Sequence, residues 1–260
     1  MVEASEVGGR LPSRRIADDL RAMIRCGDLP AGGRLPSERE LAARYGAARN
    51  TAREAVAILR SEGLVVAQHG RGVFVRTRQS LLRLGADRYS RQAREATGLS
   101  PFRIEVLKQG RAPSTECRAV TRVRPPVDVA SRLGLDPKVD EVVRRENWYF
   151  ADGEPVQVGV TYLPVAMVGD SPLASQRTLG AGSIYARLEE LGYRIARIRE
   201  EVSARMPYHD ELATLGLPPG VPVIEVLHTS FDAGRRPFEV TRFVLRADRN
   251  GLDYELPVED

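Results

Sequence analysis

Arg49, Asn50 and Thr51 are consecutive, and Arg53 follows two positions later. A guanidinium can grip guanine through two hydrogen bonds and a carboxamide can grip adenine, each good pair discriminating by about 1–3 kcal/mol. The Thr51 hydroxyl and the Arg39 guanidinium upstream suit phosphate oxygens. On a helix Arg53 shares a face with Arg49. A second cationic cluster, His69, Gly70 and Arg71, sits at the tip of "VVAQHGRGVFV", residues 65–75. Apolar, β-prone runs flank that tip. Glycines let a main chain approach a polyanion closely, and His69 and Arg71 add donors and charge. Each cluster also has a plainer reading, as solvated polar residues on a surface helix and as an ordinary tight turn.

The elements around these residues decide between the readings. In "SRRIADDLRAMIR", residues 13–25, the apolar positions 16, 17, 20, 23 and 24 have helical spacing, and the Gly- and Pro-rich "CGDLPAGGRLP" ends the run. Ser37 and Glu40 form a capping box opening a short helix that stops at Gly46. A third helix is expected from about Asn50 to Glu62, with Ala52, Ala55, Val56 and Leu59 turned inward and Gly63 closing it. Two short helices joined by "YGAAR" make a helix-turn-helix. The hairpin that follows adds a wing, with its main chain lying along a nucleic-acid backbone.

Charge agrees. Residues 1–78 hold 14 Arg and no Lys against 9 acidic residues, a net of +5, whereas the rest of the chain nets −1. A basic head on a near-neutral partner fits polyanion binding. No run approaches the ~18–20 apolar residues of a membrane span, and "MVEASEVGGRLPSRR" lacks the apolar core of a secretory signal. Cys26 and Cys117 stand in unlike contexts and read as isolated thiols of a reducing cytoplasm. No Cys/His spacing suits zinc, and neither metal nor cofactor is expected.

Residues 77–98 are polar and arginine-rich and read as a linker. Beyond them "FRIEVLKQGRA", "ECRAVTRVRPP", "DEVVRRENWYFADGEPVQVGVTYLP", "ARIREEVSARMP" and "VPVIEVLHTSFDAGRRPFEVTRFVLRADR" read as strands, with "ADGEP" and "DAGRRP" as hairpin turns. Helices are expected at "VDVASRLGL", "GSIYARLEELG" and "HDELATLGL". The expected fold class is α+β, with an antiparallel sheet in the second domain. The expected domains are 1–76, a linker at 77–98, and 99–260 with a start as early as 84.

The run "GGRLPSERELAARYGAARNTAREAVAILRSEGLVVAQHGRGVFV", residues 32–75, resembles the winged helix-turn-helix of the GntR family of bacterial transcription regulators. The resemblance implies DNA contacts at Arg39, Arg49, Asn50, Thr51, Arg53, His69, Gly70 and Arg71. Members often carry Ser or Thr before the arginine, where this chain has Ala48, so a capping or phosphate-bonding hydroxyl worth ~1 kcal/mol is missing. "WYFADGEPVQVGVTYLP", "GSIYARLEELGYRIARIREEVSARMP" and the last strand pair resemble the effector-binding UTRA domain of the HutC subfamily, over roughly 84–256. That implies a chorismate-lyase-like fold with a ligand pocket beside the sheet. An all-helical metal-binding second domain would need more histidines than His209 and His228. An aminotransferase-like one would need a longer chain and a Schiff-base lysine, and only Lys108 and Lys138 exist.

By the same resemblance Ser183, Tyr185 and Glu239 fall at pocket positions. Their plainer readings are an N-cap, a core tyrosine and an exposed strand residue. Phosphosugar-sensing relatives carry an Arg-x-Arg pair before "ADG", a bidentate phosphate clamp. Asn147 and Tyr149 stand there instead, and Gly159 stands where an acid is expected. A phosphosugar is therefore not the expected effector. Trp148, Tyr149, Tyr162 or Phe238 would suit a more apolar ligand, with only one of Trp148 and Tyr149 facing it. Arg145, Arg197 or Arg199 could meet a carboxylate.

The expected protein is a cytoplasmic homodimeric regulator, a repressor in the first instance. It binds an inverted-repeat operator in double-stranded DNA and is released by a small molecule, with the linker as hinge. Two alternatives stand beside it. One is an enzyme of the same fold using His209, His228, Glu200 or Glu201, although no spacing groups them. The other is a DNA-binding protein with a vestigial pocket, controlled by a protein partner.

Overall fold

The computed structural model describes residues 12–76 and 82–255. The chain divides into two compact units, one of Met1–Gln79 with Pro218–Val221 and the other of Ser80–Leu217 with Pro222–Asp260.

The first unit contains helices α1 (Pro12–Cys26), α2 (Glu38–Tyr45) and α3 (Arg49–Ser61), then strands β1 (Val65–Gln68) and β2 (Gly72–Val75). The Ser37–Glu40 capping box forms as expected, with the Ser37 amide donating to Glu40 Oε2 at 2.7 Å and the Glu40 amide to Ser37 Oγ at 3.3 Å. Ala48 caps α3 without a side-chain hydrogen bond, so the missing hydroxyl leaves an unfilled cap. Ile16, Ala17 and Leu20 of α1, Leu41 of α2, and Ala52, Ala55, Val56 and Leu59 of α3 close one core with Val65 and Val75. Strands β1 and β2 pair antiparallel from Val65↔Val75 to Gln68↔Gly72. The segment before α2 adds a third row, the Leu35 amide donating to Val73 O at 2.7 Å and that of Val75 to Gly33 O at 2.8 Å.

The second unit begins within the expected linker. Residues 77–81 lie outside the described residues, but 82–97 are folded. Strand β3 (Leu82–Gly85) pairs in parallel with the final strand, a 3-10 turn spans Ala86–Tyr89, and helix α4 covers Arg91–Thr97. Leu82 and Leu84 are buried against the sheet, and Arg88 and Arg94 are buried against acidic partners. A polar composition concealed this, because the pairing joins positions far apart in the chain. A second correction falls at "FRIEVLK", which is helix α5 (Pro101–Lys108) rather than a strand. Its alternating apolar residues imitate a strand, but Pro101 opens the helix at its first turn, where a missing amide hydrogen is harmless.

There follow β4 (Pro113–Val123), α6 (Val127–Leu133), β5 (Val142–Ala151), β6 (Glu154–Pro164), the single-turn α7 (Val165–Val168) and α8 (Ser183–Glu190). Then come β7 (Arg197–Arg205), α9 (His209–Thr214), β8 (Val223–Phe231), β9 (Pro237–Arg246) and β10 (Asn250–Asp253). Six of the strands form one sheet in the order β4-β5-β6-β9-β8-β7, antiparallel throughout. The β5–β6 hairpin turns at Asp152 and Gly153, both at positive φ, the twist that matches a two-residue hairpin.

Candidate functional site

In the first unit the predicted contact residues share one character, which is availability. Arg39, Arg49, Asn50, Arg53, His69, Gly70 and Arg71 are exposed, and Thr51 is half-buried. Arg49, Asn50 and Thr51 form the first turn of α3, where backbone amides lack helical acceptors and the helix dipole favours an anion. Arg53 Nε lies 3.2 Å from Glu38 of α2, and its Nη1 lies 3.4 Å from Asn50 Oδ1. This exposed pair is worth little in water and yields readily to phosphate or a base edge. The wing tip is closed by the Arg71 amide donating to Gln68 O at 3.0 Å. Gly70 and Gly72 hold φ of 70° and 116°, conformations that side chains resist, and a Cβ on Gly70 would meet only open space.

In the second unit a cavity of about 760 Å³ lies on one face of the sheet. Arg145, Asn147, Tyr149, Ser183, Tyr185 and Glu239 all line it. Strand register explains the grouping. Arg145 pairs with Thr161, Thr161 with Thr241, Thr241 with His228 and His228 with Glu200, so five neighbouring strands lay these side chains in one row. One pleat along, Asn147, Gly159, Phe243 and Val226 form the next row. Trp148, on the alternate face, packs against Arg118 and donates to Glu146, while Tyr149 faces the cavity. Tyr162 and Phe238 belong to other core clusters, and Arg197 and Arg199 are exposed away from the cavity lining.

Glu239 is 1% exposed, which removes its reading as a surface strand residue. Both Ser230 and Thr241 donate hydroxyls to it, and His228 Nε2 lies 3.5 Å away. His228 Nδ1 lies 3.1 Å from Glu200 Oε1. Glu200 also accepts from Arg88 at 2.9 Å, from the Tyr89 hydroxyl at 2.6 Å and from that of Tyr254. Burial opposes the charged form of His228, but the charge of Glu239 and the hydrogen bonds with both carboxylates outweigh it and push its pKa up to about 9. Burial likewise opposes ionisation of Glu239 and Glu200. His228 and the hydroxyl donors reverse that for Glu239, and His228, Arg88 and the two tyrosines do so for Glu200, holding both low. Reading along the chain missed this network, because its members come from the 3-10 turn, three strands and the chain's end.

Ser183 is the first residue of α8, not its cap. Gly182 holds the cap position without a side-chain bond, and Ser183 itself sits at φ 57°. Such a backbone costs about 1–3 kcal/mol and persists where its surroundings fix it. Tyr185 packs on the core, faces the cavity and carries the Arg94 guanidinium 5.3 Å from its ring centre.

The geometry also answers the enzyme alternative. His209 opens α9 at the surface, and Glu201 is ion-paired with Arg132 and Arg199. Ser230, His228 and Glu200 do stand in the order of nucleophile, base and orienting acid. Ser230 and His228 are 0% exposed, however, the Ser230 hydroxyl is committed to Glu239, and a protonated imidazole cannot take a proton from it.

Comparison with known proteins places the chain. Residues 12–75 match the family described as bacterial regulatory proteins, gntR family, and residues 108–250 match the UTRA domain. The chain is 32% identical over 254 residues to an HTH-type transcriptional regulator of Mycobacterium tuberculosis, covering 96% of this chain and 87% of that one. It is 25% identical to the HTH-type transcriptional repressor NagR of Bacillus subtilis over 237 residues, 90% of each chain. A crystal structure of a GntR-family transcriptional regulator superposes with a TM-score of 0.72 at 30% identity, covering 95% of this chain and 98% of the other. With a winged helix-turn-helix in one unit and a UTRA domain built around a cavity in the other, the chain belongs to the GntR family as a HutC-type transcriptional regulator, not an enzyme.

Proposed function

We propose that the chain is a cytoplasmic repressor that binds an inverted-repeat operator as a homodimer and leaves it when a small molecule fills the UTRA cavity. One observation carries this reading. Exposed base-reading groups crowd the first turn of α3 beside a cationic wing, while the second unit keeps a cavity of about 760 Å³, a ligand-sized space. Arg49 and Asn50 read base edges. Arg39, Thr51, Arg53 and the wing residues His69, Gly70 and Arg71 hold phosphates and the minor-groove edge. A two-fold operator follows from two such units related by a dimer axis. Release requires the effector to favour the DNA-free state, so its affinity must differ between the two states. Arg145, Asn147, Tyr149, Ser183, Tyr185 and Glu239 are its proposed contacts. A cavity of this volume favours ligand control over a vestigial pocket worked by a protein partner. The name of the NagR relative supports repression.

The test is transcription in vitro from a promoter overlapping the bound duplex, with the stoichiometry of the complex measured by sedimentation. Two chains per duplex, falling transcript and affinity that drops steeply with salt support the reading. One chain per duplex, or rising transcript, contradicts it.

A further inference from the structure

We propose that the effector carries a single carboxylate, held by Arg145, on an apolar ring-bearing body that lies against Tyr149, Phe243 and Phe102. This deepens the effector reading and rests on it.

Arg145 is 1% exposed on the cavity wall. Its Nη1 donates to Leu173 O at 2.6 Å and its Nη2 to Arg177 O at 3.5 Å, with Cys117 Sγ 3.7 Å from the same nitrogen. Among the described residues its Nε has no hydrogen-bond partner. Among the described residues no carboxylate stands within ion-pair distance of it. The other buried charges on the cavity are matched: Arg88 faces Glu200 at 2.9 Å and Glu239 faces His228 at 3.5 Å. A buried guanidinium without an anion is costly, and its planar fork fits a carboxylate. Burial lowers the pKa of Arg145, as expected of a cation still lacking its counter-charge. Farther along β5 the groups facing the cavity are the Asn147 amide and the Tyr149 phenol, so the strand offers one guanidinium and not the two that clamp a phosphate.

The next part of the floor is aromatic. A Cβ on Gly159 would come within 2.8 Å of the Phe243 ring and 3.1 Å of the Tyr149 ring, so the glycine gives both rings their place. Tyr149 meets Phe243 edge-on at 6.1 Å and Phe102 at 5.0 Å. Such a wall accepts a flat apolar group.

The experiment is calorimetric titration of the full chain with 3-phenylpropanoate, indole-3-acetate and octanoate, each beside its amide, and with glucose 6-phosphate. Wild type, Arg145→Gln and Arg145→Lys are compared. At least one of the two ring-bearing carboxylates is expected to bind wild type roughly ten- to hundredfold more tightly than its amide and more tightly than octanoate. Tightest binding of octanoate would overturn the ring-bearing body. Arg145→Gln should abolish that preference and Arg145→Lys should retain part of it. If Arg145 merely tethers the Leu173 and Arg177 carbonyls, the variants weaken acid and amide alike. Equal binding of acid and amide by wild type, or preference for glucose 6-phosphate, overturns the carboxylate assignment and leaves the effector reading standing. If no compound binds and a broad metabolite screen also fails to shift the melting temperature, both fall together.

Discussion

The first turn of α3 and the floor of the cavity are both rich in polar side chains, yet they are built on opposite terms. Arg49, Asn50 and the wing tip are exposed and lightly held, the Arg53–Glu38 pair included. His228, Glu239 and Ser230 are sealed from water and locked to one another. The difference teaches what each region is for. Groups that must meet DNA remain hydrated until it arrives. The groups of the His228 network are fixed beforehand, because an unmatched polar atom in a dry interior is expensive. Arg145 bears that cost where the effector is proposed to relieve it.

The largest effect should come from breaking the locked side. His228→Gln strands the Glu239 carboxylate beside the cavity without its cation and should destabilise the second unit by about 3–5 kcal/mol. Trp148, the single tryptophan, lies in that unit on β5, so its fluorescence during urea denaturation reports the loss. Unchanged stability would mean that the His228–Glu239 pairing carries no load.

Next in size is the pH response. His228 holds its proton up to about 9 in the fold against an ordinary 6.5. Its stabilisation is therefore complete below pH 6.5 and disappears as pH rises through 9, on the order of 3 kcal/mol. The lowered carboxyls of Glu200 and Glu239 act in the opposite sense and lose their contribution only in acid. Trp148-monitored stability should fall between pH 6.5 and 9 in wild type and stay nearly flat there in His228→Gln. A wild-type curve that rises over this interval would contradict the assignment.

The exposed side should respond in binding alone. Arg49→Ala is expected to weaken operator affinity by about 1–3 kcal/mol and to relax the preference at one base pair, with the Trp148 transition unmoved. Fluorescence anisotropy on matched and single-mismatch duplexes measures both effects. The smallest change should be a gain. Ala48 has the extended backbone that a cap requires, φ −69° and ψ 150°, so Ala48→Ser should stabilise α3 by about 1 kcal/mol. Hydrogen exchange at the first amides of α3 should then slow severalfold.

The same comparison explains what could be read from the sequence. The three helices, the capping box and the hairpin of the first unit depend on residues a few positions apart, and all form near their expected bounds. In the second unit the antiparallel sheet, its hairpin turns and the placing of Trp148 and Tyr149 on opposite faces were also legible, since alternation and turn residues are local. The fold of 82–97 was not, because Leu82 and Leu84 lean on a strand at the chain's far end. Helix α5 was misread because Phe102, Ile104 and Val106 alternate like a strand while Ser100 and Pro101 open a helix. The row from Arg145 to Glu200 depends on the register of five strands, and no spacing along the chain encodes it.

The central claim is that the exposed face of α3 reads DNA, and the most direct measurement is selection of bound duplexes from a random pool at near-physiological salt. The wild-type chain should enrich a short inverted repeat, and Arg49→Ala/Arg53→Ala should lose it while keeping the wild-type Trp148 transition. Absence of any enriched repeat, or the same repeat recovered by the double variant, would contradict the claim.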